Sequence, residues 1–156
     1  MTSQYTIKLR SKILNYSLRL EETVNACLGL ILKIENYQES KSLGSSGLSF
    51  SQKLNLLLDS KVIESSLRTD LTTFMEVRNK FVHDIKIRSL EQAVLENKKT
   101  NLKNKFPSYF NSETSLEQSL DKCLTQIYLR GMNKLRKETI RHLVKEGTIN
   151  IQDDEE

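Results

Sequence analysis

YTIKLRSKILNYSLRLEETVNACLGLILKI, residues 5–34, places apolar side chains at Tyr5, Leu9, Ile13, Tyr16, Leu20, Val24, Cys27, Ile31 and Ile34. Every step is three or four residues, the repeat of an α-helix and not of a strand. Gly29 falls inside the run, and one glycine costs a helix only about 1 kcal/mol. The spacing predicts a single helix from about residue 4 to about residue 37. A stripe of that length is stable in water only against partners of similar length. The fold class that follows is all-α, a helical bundle.

The rest of the chain supplies those partners. Residues 39–49, ESKSLGSSGLS, form a loop by their Gly and Ser content. Ser49 with Gln52 makes a capping box, which opens a short helix with Leu54, Leu57 and Leu58 inward. A third helix is expected over residues 65–84. Ser89 with Gln92 is a second capping box, for a short helix to about residue 96. Residues 97–114 read as a polar loop that holds Lys98, Lys99, Lys103 and Lys105, together with Pro107 and the aromatics Phe106, Tyr109 and Phe110. Ser115 with Gln118 is a third capping box and starts a long last helix, expected to run to about residue 146. It turns Leu116, Leu120, Leu124, Ile127, Tyr128, Met132, Leu135, Ile140 and Leu143 inward, with Gly147 as its stop. Cations in its late turns suit a helix C-terminus, and His142 is expected to be exposed and inert.

A chain of 156 residues suits one domain; we divide it into residues 1–148 and a short acidic tail, 149–156. Hydrophobic residues at 37% and charged residues at 28% fit a soluble globular protein. Five glycines and one proline are too few for a many-stranded β fold. The net charge of +4 is compatible with a polyanionic partner. Cys27 and Cys123 lack metal-ligand spacing and read as reduced core thiols of a cytoplasmic protein. The first ten residues carry no apolar signal core, and the longest apolar run is too short to span a membrane. Phosphate loops, zinc patterns and nucleophile elbows are missing from the sequence, which excludes the reaction classes built on them.

The chemically loaded stretch is FMEVRNKFVHD, residues 74–84. In the third helix Leu67, Leu71, Phe74, Met75, Phe81, Val82 and Ile85 form the apolar stripe, and Arg78 falls in its middle. The opposite side carries Thr72, Glu76, Asn79 and His83. On a regular helix Arg78 and His83 point about 140° apart. They can share a site only if the helix bends or ends near His83, or if two copies of the helix meet. The residues alone leave two readings open. Arg78 is either a buried structural arginine or a fixed cation for an anion, and His83 either a neutral helix-end histidine or a proton carrier.

The run Arg78-Asn79-Lys80-Phe81-Val82-His83 resembles the signature of the HEPN superfamily: an arginine, a polar residue, three further residues, then histidine. Its form is also similar to that of the mannitol operon repressor-like group within the superfamily. The resemblance is residue-specific over residues 77–84, and at the level of helix order it extends over residues 5–147. It implies a HEPN-like bundle in which two long amphipathic helices flank the motif helix. It further implies a metal-independent endoribonuclease needing no cofactor, with Arg78, His83 and Asn79 as catalytic residues. Lys80, Lys98, Lys99, Lys103 and Lys105 are then the expected RNA contacts, since lysines beside aromatics hold phosphates and stack bases. The expected partners are RNA, a second copy of the chain and, for a toxin or defence component, a cognate antitoxin. The alternative the resemblance allows is a non-catalytic regulatory or protein-interaction module. A homodimer also follows from the cost of an isolated charge among Leu71, Phe74, Met75 and Val82.

Overall fold

The structure, a computed structural model, describes residues 3–147; the expected acidic tail lies outside them. The described residues are all-helical, without strands. Six α-helices follow in order: α1 Gln4–Ile31, α2 Phe50–Asp59, α3 Ser65–His83, α4 Leu90–Ala93, α5 Glu96–Lys105 and α6 Leu116–Lys145. None of them is long and apolar enough to cross a membrane.

The two long helices lie against α3 and share one core. Leu20, Leu71, Phe74, Phe81, Leu120, Leu124 and Leu135 are fully or almost fully buried in it. Close approach is achieved at Gly131, where a Cβ would stand 2.8 Å from a methyl of Leu71 and 3.4 Å from one of Leu20. Tyr16 of α1 stacks on Tyr128 of α6 with centroids 4.0 Å apart. Both cysteines are buried and free. Burial pushes the Cys123 thiol up to about 12, which keeps it protonated in the core.

Helix starts follow the expected chemistry. Ser49 with Gln52 and Ser115 with Gln118 each form both hydrogen bonds of the capping box. At Ser89 only half of it forms. Ser89 Oγ accepts from the Gln92 backbone, while Gln92 Oε1 accepts from Arg88 N.

Four expectations are corrected. α1 stops at Ile31, six residues short of residue 37, because Lys33 takes a left-handed φ of 55° and Ile34 N bonds back to Gly29 O at 2.8 Å. The chain then folds over Gly29, where a Cβ would lie 2.7 Å from the Cβ of Tyr37. Gly29 is therefore a docking point and not a tolerated defect. α4 ends at Ala93, short of residue 96. Residues 97–114 are not a loop: α5 occupies Glu96–Lys105 and a 3-10 turn follows at Pro107–Tyr109. Only Leu102 of α5 is buried, so no apolar stripe announces the helix. Its Glu, Lys and Leu residues are good helix formers, and Pro107 forces the stop at Phe106. Three residues leave the predicted apolar stripes: Ile85, beyond the end of α3, is 77% exposed, Ile140 of α6 is 52% exposed and Tyr5 of α1 is 50% exposed.

Candidate functional site

The C-terminal end of α3 builds the site. His83 is the last helical residue, and Asp84 leaves the helix at φ −99° and ψ 104°. The departing chain is tied to α1. Arg10 Nη2 donates to the carbonyl of Asp84 at 3.3 Å and also to that of Ile87. The Arg10 guanidinium lies 5.3 Å from the ring centroid of Phe81. One turn earlier on α1, Thr6 Oγ1 donates to the carbonyl of Arg88 at 3.2 Å. These bonds fix where the helix ends and clear the space beside His83.

Arg78, half-buried, fills that space. Its Nε donates to Ser17 Oγ at 3.2 Å. The Ser17 hydroxyl in turn donates to the carbonyl of Leu14 at 2.8 Å, so its rotor is fixed. Arg78 Nη1 donates to Asn79 Oδ1 at 2.9 Å and reaches His83 Nε2 at 3.0 Å. The guanidinium thus spans the angle that an ideal helix puts between the two residues, and a single copy of the chain brings them together. Arginine carries only donors, so His83 Nε2 accepts, and the proton of the neutral ring sits on Nδ1. Arg78 Nη2 has no hydrogen-bond partner among the described residues and is not sealed from solvent. Asn79 and His83 are exposed. The arrangement therefore holds a permanent cation and a proton acceptor side by side on an open surface.

The five expected RNA-contacting lysines stand elsewhere. Lys80 is exposed on another side of α3, where it lines a small hollow with Glu76, Leu95 and Lys98. Lys98 lies 3.7 Å from Glu76, Lys99 lies 2.6 Å from Glu96, and Lys105 forms an ion pair with Asp70. Lys103 sits 6.0 Å over the ring of Phe110. The aromatics pack back on the bundle. Phe106 is buried and stacks on Tyr109 at 5.7 Å, with the Arg130 guanidinium 5.7 Å from its centroid.

Ser17 and Arg10 are the site residues that sequence reasoning missed. A signal for Ser17 existed: Leu9, Ile13, Ser17, Leu20 and Val24 are as regular as the stripe through Tyr16, and a hydroxyl on a buried stripe needs a polar partner. His142, expected to be exposed, is half-buried instead. Its Nε2 lies 3.3 Å from Glu146 Oε1 without the angle of a hydrogen bond. Among the described residues, no group of three or more His, Cys, Asp or Glu side chains could hold a metal ion. Comparison of the chain with protein-family models, with curated proteins and with solved structures gives no match.

Proposed function

We propose that the Arg78–Asn79–His83 cluster is the active site of a metal-independent endoribonuclease of the HEPN type. The observation that carries this reading is the 3.0 Å contact between Arg78 Nη1 and His83 Nε2 on an exposed surface. RNA cleavage by its own 2′-hydroxyl needs a proton acceptor that works near neutral pH and a fixed cation for the charge that builds on phosphorus. Arrival of a phosphate brings its non-bridging oxygens to the unpartnered Nη2 and to the Nη1 proton that faced His83, which frees His83 Nε2 while Ser17 and Asn79 keep their bonds. The imidazole then accepts the 2′-hydroxyl proton as the 2′-oxygen bonds to phosphorus and the bond from phosphorus to the 5′-oxygen breaks. The imidazolium returns that proton to the 5′-oxygen, leaving a cyclic phosphate and a 5′-hydroxyl. Ser17 aims the guanidinium through Nε, and Asn79 accepts from Nη1 beside its contact to His83.

The same reading takes a second copy of the chain as partner. On α1, Ile7 and Leu18 are 55% and 51% exposed and lie on one side with Leu14, next to the side that carries Ser17. Ile85 stands exposed just past His83. An apolar face at the rim of the site fits a two-copy assembly with both clusters near the interface. Light scattering at micromolar concentration should give twice the mass of the chain.

One observation favours a second reading. Three of the Arg78 hydrogen bonds end on this chain's own side chains, which is also what a structural clasp between α1 and α3 requires. In that case the protein is a non-catalytic binding or regulatory module. Incubating pure protein with mixed-sequence RNA in EDTA separates the two. Cyclic-phosphate products that vanish in His83→Ala support the nuclease. Intact RNA, with EDTA and with added metals, from a folded protein free of any partner, leaves the clasp.

A further inference from the structure

The other end of α3 opens onto a surface of different character. Its first turn borders a groove of about 460 Å³ with α5 and α6, lined by Ser66, Asp70, Lys105, Arg130, Lys134 and Lys137. The next turns of α6 border a second groove of about 320 Å³, where Lys61, Arg141 and Lys145 join the lining. Turning at about 100° per residue, Arg130, Lys134, Lys137, Arg141 and Lys145 fall within about 80° of one another along roughly 22 Å of α6. They form one cationic face, the α6 ridge, and both grooves run along it. The carboxylates in the lining are only Glu64, Asp70 and Glu138. Glu138 is shared by Lys134 at 2.9 Å and Arg141 at 3.4 Å, and Asp70 is taken by Lys105. Among the described residues, Arg130, Lys137 and Lys145 make no ion pair. A helix C-terminus favours cations only in its last turn, and this row begins four turns earlier.

We propose that this face of α6 grips the phosphodiester backbone of an RNA strand. Cations repeated every three or four residues along a groove match a chain of evenly spaced phosphates, and they need no base-specific contact. The identity of the strand rests on the nuclease reading above, whereas the charge and shape of the face do not. Ser66 borders the first groove and Arg78 lies twelve residues further along α3, about 18 Å away. The face is therefore a remote anchor that sets affinity and leaves the reacting atoms alone. The competing ligand is an anionic membrane surface, because Ile140 and Val144 stand exposed beside the cationic row.

The test is fluorescence anisotropy with a labelled mixed-sequence 20-nucleotide RNA, in a His83→Ala background so that the probe is not consumed. The triple variant Lys137→Gln/Arg141→Gln/Lys145→Gln should weaken binding at least tenfold at 0.1 M salt. The slope of log K against log salt should fall by about 2, from three lost phosphate contacts at about 0.7 each. Lys8→Gln/Lys41→Gln/Lys122→Gln carries the same charge change on other exposed positions and should change affinity less than twofold. Equal loss in both triples would reduce the effect to net charge and overturn the proposal. So would tight binding to phosphatidylserine vesicles without binding to RNA. Circular dichroism confirms that both triples fold. If the face binds RNA but wild-type protein never cuts it, the nuclease reading falls and this one stands. If wild type and the ridge triple cut RNA with equal KM and bind it equally, the reverse holds.

Discussion

The two ends of α3 meet their surroundings in opposite ways. At the C-terminal end the polar groups are fixed: Arg78 is held by Ser17, Asn79 and His83, and the chain beyond is pinned by Arg10. At the N-terminal end Glu64 caps the helix without a side-chain hydrogen bond, and the neighbouring α6 cations mostly face water. The difference separates two jobs that charge performs. Stabilising charge that develops at one atom needs donors already in place, since reorganising them during the reaction wastes the gain. Holding a long polyanion needs the number of charges more than their positions. Under the two proposals above, turnover and affinity would be divided between the two ends of a single helix.

The largest expected effect tests the fixed end. His83→Ala should slow RNA cleavage by roughly 10²–10⁴-fold, the range of a lost proton carrier. Arg78→Lys should cost a similar factor although the charge is kept, because lysine lacks the fork that serves Ser17 and His83 together. Single-turnover rates on a short RNA check both. Less than a twofold change in either would break the comparison, because the fixed end would then be a clasp and nothing more.

Overfilling the crossing between the two ends comes next. Gly131→Val drives methyl groups into Leu71 and Leu20, and should cost about 1–3 kcal/mol in urea unfolding. The ridge lies outside this contact, so RNA affinity of the protein that remains folded should not move. A shift in affinity as large as the loss in stability would mean that the two ends are coupled through the core.

Ser17→Ala sharpens the comparison from inside the site. The Arg78 guanidinium keeps its charge and its contacts to Asn79 and His83 but loses its anchor on α1. We expect about a tenfold fall, the equivalent of one modest hydrogen bond, seen in kcat and not in KM. An equal rise in KM would assign Ser17 to substrate binding, contrary to its complete burial.

How much of this was legible in the sequence depends on whether the signal was local. The stripes of α1, α3 and α6 and the two complete capping boxes are local patterns, and the fold contains them apart from the stripe members Tyr5, Ile85 and Ile140, which are exposed. The end of α1 was not legible. Nothing in Leu32-Lys33-Ile34 marks a left-handed lysine, which exists because Tyr37 returns over Gly29, a contact between elements. α5 was missed because it rests on residue propensity and neighbouring ion pairs without an apolar face. In the site, spacing showed only that Arg78 and His83 could meet if the helix bent or ended near His83 or if two copies met; the grouping with Asn79 came from the resemblance to the HEPN signature. Ser17 was hidden by a choice at one step of the α1 stripe. Residue size favours Tyr16, which lies half-buried against Tyr128, whereas the fold buries Ser17 completely.

The smallest expected effect concerns the α5 lysines, which resemble the ridge in composition but not in situation. Lys99 sits 2.6 Å from Glu96 and its side chain is only 14% exposed, while Lys98 lies 3.7 Å from Glu76. A phosphate approaching either must compete with a carboxylate already in place, and each pair brings its own negative charge to the surface. By contrast Lys137 on α6 has no carboxylate partner among the described residues. Lys98→Gln/Lys99→Gln should therefore lower RNA affinity less than twofold and leave the salt slope unchanged within error. Surface pairs of this kind contribute about 0–1 kcal/mol, so the unfolding midpoint should barely shift. Parallel anisotropy titrations of this double variant and the ridge triple, at matched salt, provide the check. Equal losses per charge removed would erase the distinction between the α5 lysines and the α6 row, in which Lys137 and Lys145 make no ion pair among the described residues and Arg141 shares Glu138, and with it the proposed RNA track on α6 over α5.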